Sequence, residues 1–166
     1  MNVVLIGYRG TGKSTVGKVV AARLGRTMVS TDAEIVKRAG QSIPEIVAQH
    51  GWDYFRDLES QVCRDQAEGE GLVIDTGGGV VLRSENVERL KHHGKVFWLT
   101  ASVETITKRI GRDTQRPSLT GTKSFIEEVQ DVLRERMPKY KAAADHVITT
   151  DGRSVGQIAD EILARL

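Results

Sequence analysis

The sequence predicts an α/β fold, a parallel sheet layered between helices, and three observations carry that expectation. Short apolar runs at Val3 to Ile6, Met28-Val29, Leu72 to Ile74, Val96 to Leu99 and His146 to Ile148 alternate with amphipathic segments along the whole chain. That is the pattern of βαβ units, whose strands are buried on both faces. Second, Gly7-Tyr8-Arg9-Gly10-Thr11-Gly12-Lys13-Ser14 joins the first apolar run to a helical pattern and matches G-x-x-x-x-G-K-[ST] in its proper strand–loop–helix setting. Third, 166 residues with no repeat, low-complexity tract or Ser/Gly linker are expected to form a single domain, 1–166.

Taken in order, the first run leads into a loop whose glycines allow backbone N–H groups to turn inward around phosphate oxygens, at the positive end of the following helix. Gly10, Thr11, Gly12 and Thr15 complete that cradle around Lys13 and Ser14. Lys13 is expected to supply a mobile charge to the β- and γ-phosphates of ATP, and the Ser14 hydroxyl to ligate Mg²⁺. The motif specifies a nucleotide and a phosphoryl group; it leaves the acceptor open.

Helical periodicity follows at about 13–24, 32–39, 43–50, 52–69, 83–93, 102–111, 123–141 and 154–165, with Gly25, Gly40, Gly51 and Gly94 placed where helices should stop. Two regions break the alternation. Residues 32–69 put several helices between the second and third strands, and Arg112 to Lys123, with Pro117 and Gly121, has no clear period. Each reads either as an ordinary surface connection or as the place where an acceptor pocket or closing lid is built.

Asp32 follows the second strand at the carboxyl edge of the sheet, where it would bind an acceptor hydroxyl, take its proton, or merely cap a helix starting at Ala33. Thr76-Gly77-Gly78-Gly79 follows the third strand, either as a flexible turn or as backbone that a polar ligand can approach closely. Asp75 stands where a Walker B acid would hold Mg²⁺ through water, or is a strand-end residue satisfied by neighbouring amides. Arg56, Arg109, Arg116, Arg136 and Arg153 lie near element ends or loops. Each is by default a solvated charge, but the guanidinium fork also suits a carboxylate or a transferring phosphoryl group, and Glu59 is spaced i,i+3 to hold Arg56.

Composition narrows the class. With 24 Lys+Arg against 22 Asp+Glu, the formal charge of +2 and the absence of a basic run argue against nucleic acid as a partner. No apolar run reaches membrane-spanning length, and Met1-Asn2-Val3-Val4 lacks the regions of a signal peptide. The lone Cys63 cannot form an internal disulfide, so a cytoplasmic location is expected. His50, His92, His93 and His146 lack zinc-ligand spacing.

Together, the P-loop, Thr31-Asp32, Tyr54-Phe55-Arg56-Asp57-Leu58-Glu59, Gly77-Gly78-Gly79, Arg116-Pro117 and Arg136-Met137-Pro138-Lys139-Tyr140 resemble shikimate kinase, in order and from about residue 3 to the end of the chain. The resemblance implies a three-layer P-loop kinase of the nucleoside-monophosphate-kinase type, with a five-stranded parallel sheet in order 2-3-1-4-5. It also implies an acceptor-binding segment at about 32–60 and a lid at about 112–123. It implies ATP- and Mg²⁺-dependent phosphorylation of the 3-hydroxyl of shikimate, in the pathway to chorismate and the aromatic amino acids.

By that resemblance Asp32 binds substrate hydroxyls and is the candidate base, Arg56 and Arg136 hold the carboxylate, and the backbone of the Gly77–Gly79 run, through Gly78, contacts substrate. Arg116 closes over the phosphates, while Arg109 and Arg153 contact adenine. A monomer is expected. One departure stands out: the family usually shows D-x-D after strand two, its first acid helping to hold Mg²⁺, and this chain reads Ser30-Thr31-Asp32. Asp75 is expected to replace that carboxylate. A different small-molecule kinase, for gluconate or a nucleotide, and a binding protein without turnover are the competing readings.

Overall fold

Strands β1 (Asn2–Ile6), β2 (Met28–Ser30), β3 (Val73–Asp75), β4 (Gly94–Thr100) and β5 (His146–Thr149) form one all-parallel sheet in order β2-β3-β1-β4-β5. This is the order the resemblance implied. The computed structural model describes residues 1–110 and 125–166; the expected lid at about 112–123, with Arg116, lies outside the described residues.

The helices are α1 (Lys13–Leu24), α2 (Thr31–Ala39), α3 (Ile43–His50), α4 (Trp52–Ala67), α5 (Ser84–His92), α6 (Val103–Ile110), α7 (Phe125–Ala143) and α8 (Val155–Ala164). Their boundaries follow the sequence periodicity closely. Alternate residues of the strands face opposite layers. Val3, Leu5, Val73, Phe97 and Ile148 pack on Val16 and Val20 of α1 and on Ile158 and Ile162 of α8. Val4, Ile6, Ile74, Val96 and Trp98 pack instead on Cys63 of α4, Leu90 of α5 and Tyr140 of α7. Both faces of β1 are fully buried, which explains its unbroken apolar run.

The excursion from α2 to α4 has a small core of its own around Ile35, Ile43, Ile46, Phe55 and Val62. It is therefore a packed subassembly, able to hold side chains in fixed positions. Gly25, Gly40 and Gly51 end helices with φ between 64° and 86°. Gly94 departs from expectation. It opens β4, and α5 ends at His92; a side chain at Gly94 would come within 2.7 Å of the Leu90 carbonyl oxygen. The glycine there answers a close approach of strand to helix.

The chain leaves β1 through α1 to β2 on one side, while β4 pairs with β1 on the other. That reversal puts the carboxyl ends of β1 and β3 at the switch point of the sheet, the crevice where doubly wound folds bind ligands. Both glycine-rich segments emerge there.

Candidate active site

Gly7, Gly10 and Gly12 have φ of 144°, 82° and 91°, so the loop after β1 takes a path that side chains at these positions would strain. The Lys13 ammonium donates to the carbonyl oxygens of Gly7 and Tyr8 at 2.7 and 3.1 Å, and the Thr11 hydroxyl donates to Tyr8 O at 2.8 Å. The loop borders a cleft of about 360 Å³ that Ser14, Thr15, Asp32, Asp75, Gly77 and Arg109 also line. Arg109, on α6, donates to the Gly10 carbonyl at 3.0 Å, placing a guanidinium on the loop's outer edge. Arg153 is not brought there. It lies in the turn before α8, bonded to Glu161 at 2.7 Å and to the Thr149 carbonyl at 2.9 Å, against a separate surface depression.

The cap of α2 differs from the alternative considered for Asp32. Helix α2 begins at Thr31 and the Ser30 hydroxyl accepts from the Ala33 amide at 3.2 Å, so Ser30 is the cap. Asp32 is thereby placed in the first turn, lining the cleft.

Asp75 lies directly across the β2–β3 ladder from Ser30. Its Oδ2 accepts a hydrogen bond from the Ser14 hydroxyl at 2.5 Å. Burial pushes this carboxyl above the usual aspartate range, an effect opposed by the Ser14 bond and the Lys13 charge and reinforced by nearby Asp32. A hydroxyl and a carboxylate oxygen in contact beside the P-loop lysine are hard donors of the kind Mg²⁺ takes while keeping several waters. The residues present fit that ion.

A second cavity adjoins the cleft, lined by Tyr8, Arg9, Trp52, Arg56, Gly78, Gly79 and Arg136. Arg56 on α4 and Arg136 on α7 thus meet in one small space. Arg56 is fixed by Glu59, one helical turn on, at 2.8 Å, and its guanidinium carbon lies 5.4 Å from the Trp52 ring. Arg136 is only 7% exposed and sits 5.9 Å over the Tyr8 ring. Cationic groups withdrawn from water in this way favour an anion as the cavity's ligand.

The glycine run has a role that sequence left open. None of Gly77, Gly78 and Gly79 has positive φ, so the requirement is for space. A Cβ at Gly77 would stand 2.6 Å from Asp32 Oδ1, one at Gly78 3.4 Å from Arg136 Nη1, and one at Gly79 2.5 Å from Arg56 Cζ. Gly77 and Gly79 therefore make room for Asp32 and Arg56, whereas at Gly78 a Cβ would meet Arg136 only at ordinary contact distance. Thr31 Oγ1 accepts from the Gly77 amide at 2.8 Å, and the buried Tyr140 hydroxyl donates to the Gly78 carbonyl at 2.5 Å. Tyr140 stands at i+4 from Arg136 on α7, so one helix face supplies both the cation and the strut beneath the loop. Burial pushes the Tyr140 hydroxyl up to about 12, keeping it a donor.

The shikimate kinase family model matches residues 9–166 of this chain. The chain belongs to the shikimate kinase family. Among curated relatives, the shikimate kinase of Nitratidesulfovibrio vulgaris is 48% identical over 167 residues, spanning 99% of this chain and 94% of that protein. The shikimate kinase of Syntrophus aciditrophicus is 43% identical over 99% of this chain and 90% of its own. A solved structure of shikimate kinase from Acinetobacter baumannii in complex with shikimate superposes with a TM-score of 0.94 at 35% identity, covering 99% of this chain and 91% of that one. The two adjoining spaces differ in lining, one bordered by the P-loop and the other by paired arginines.

Sequence reasoning missed Arg9, Trp52 and the strut function of Tyr140. For Tyr140 and Trp52 the four-residue spacing from Arg136 and Arg56 was a usable signal; for Arg9 there was none, because its neighbours across the cavity come from distant elements.

Proposed function

We propose that this chain transfers the γ-phosphoryl group of ATP to the 3-hydroxyl of shikimate, giving shikimate 3-phosphate on the route to chorismate and the aromatic amino acids. One observation carries the reading: guanidinium groups from α4 and α7 converge in a cavity that opens beside the P-loop cleft. A compact carboxylated triol needs cationic forks at one end and a hydroxyl acceptor at the other, and Arg56, Arg136 and Asp32 are so disposed.

In this reading the amides from Gly10 to Thr15 and the Lys13 ammonium hold the nucleotide phosphates. Asp32 aligns the attacking hydroxyl and receives its proton, while the glycine loop gives the acceptor a backbone to lie against. Arg109 faces the nucleotide, and Arg116 completes its surroundings as the resemblance implies, while Arg153, held by Glu161 against a separate depression, stands apart from the cleft. Mg²⁺, when bound, neutralises charge on the phosphate oxygens; Ser14 would ligate it and Asp75 would hold its water shell. The working unit is taken as a cytoplasmic monomer with no nucleic acid or membrane partner.

A coupled assay that offers shikimate, quinate, gluconate and AMP in parallel tests the reading. Turnover with shikimate alone is the expected result, and turnover of gluconate or AMP in its place would overturn it.

A further inference from the structure

Among the residues that border the site, Arg9 occupies a place that none of the roles above uses. It lines both the phosphate cleft and the arginine cavity, a position it shares only with Gly78 among the described lining residues. Tyr8 is 2% exposed and packs on Ile106, Ile110, Val129 and Val132, whereas Arg9 is half-buried and borders both open spaces. The loop cannot swing away, because Tyr8 O is held by Thr11 and Lys13, Gly10 O by Arg109, and the Arg9 amide nitrogen lies close against Gly78.

The neighbouring cations are already engaged. Arg56 pairs with Glu59, Arg136 sits over Tyr8, and Lys13 is bonded to loop carbonyls. Arg9 makes no ion pair or side-chain hydrogen bond among the described residues. A half-buried guanidinium at the mouth between a phosphate cleft and an acceptor cavity is positioned on the path that a phosphoryl group travels between them.

We infer that Arg9 is a further catalytic residue, one that holds the phosphoryl group in transit and then the phosphate of the product. The inference rests on the proposed function. In the step, the acceptor oxygen bonds to the γ-phosphorus as the bond from that phosphorus to the β,γ-bridging oxygen breaks. The hydroxyl proton passes to Asp32, ADP leaves, and Arg9 donates to the phosphoryl oxygens, whose charge is most spread in the transition state.

The test is steady-state kinetics of Arg9→Met and Arg9→Lys, with calorimetric affinities for shikimate and for shikimate 3-phosphate. Arg9→Met is expected to lower kcat about tenfold or more while KM and Kd for shikimate stay within about threefold. Its affinity for the 3-phosphate should fall by about tenfold, and Arg9→Lys should recover part of both losses. A rise in shikimate KM and Kd with kcat intact would make Arg9 an acceptor-binding group and overturn the inference, as would unchanged kinetics in both variants. Wild-type enzyme without turnover of shikimate would sink the proposed function itself, so the two failures are distinct.

Discussion

At the scale of single residues, the pairing of positions 30 and 75 makes the sharpest prediction. Ser30 and Asp75 face each other across one rung of the β2–β3 ladder, and Asp75 touches the Ser14 hydroxyl. Asp75→Asn should weaken Mg²⁺ binding to the nucleotide complex by about 10- to 100-fold, read by metal titration of the ADP complex. Adding Ser30→Asp should restore much of it, since aspartate caps a helix as well as serine does and returns the carboxylate to the same corner. An unchanged metal affinity in Asp75→Asn would refute the assignment. Gly79→Ala drives a methyl into the Arg56 guanidinium, and shikimate KM should rise about tenfold with ATP KM unaltered, measured in the same coupled assay. Much at this scale was legible: P-loop residues announce themselves because backbone geometry demands specific types at fixed spacing. The purpose of Gly77 and Gly79 was not, since the atoms that need the space belong to α2 and α4.

At the scale of elements, α7 joins the arginine-lined cavity to the glycine loop through Arg136 and Tyr140. Tyr140→Phe removes the donor to Gly78 O and should cost about 1–3 kcal/mol of stability by leaving a buried carbonyl unpaired, as measured by urea unfolding. It should also raise shikimate KM without touching nucleotide binding. A second joint lies at the start of α6, where Asp151 accepts from the Thr105 hydroxyl at 2.6 Å and the Ser102 amide at 2.9 Å. The Thr105 bond foremost holds this carboxyl below the usual aspartate range. Its contribution is present above the ordinary value of 3.8 and is lost as pH falls through the lower folded value. Asp151→Asn should therefore lower stability only slightly at neutral pH, since the carboxyl is exposed and screened by solvent, and flatten the acid limb of the stability profile, whereas a parallel profile would contradict the joint. Helices and strands were nearly all readable from periodicity because each buries one stripe or both faces. Gly94 misled because a cap and a close strand–helix contact call for the same residue.

At the scale of the molecule, the site exists because chain reversal at the switch point brings the loops after β1 and β3 together while the α2–α4 excursion and α7 close over them. The sequence pattern was enough for the layers, but convergence of Arg56 and Arg136 depends on tertiary packing and came only through the whole constellation of motifs. A ligand that bridges α4 and α7 should stabilise the native state. Shikimate at about a hundred times its Kd should add about 2.7 kcal/mol, or about 5–10 °C in melting temperature. The most direct measurement of the central claim, that paired guanidinium groups grip one acid group beside the phosphates, is kcat/KM for shikimate against its methyl ester, which keeps every ring hydroxyl. The account predicts a loss of about a hundredfold or more for the ester, and equal values would contradict it.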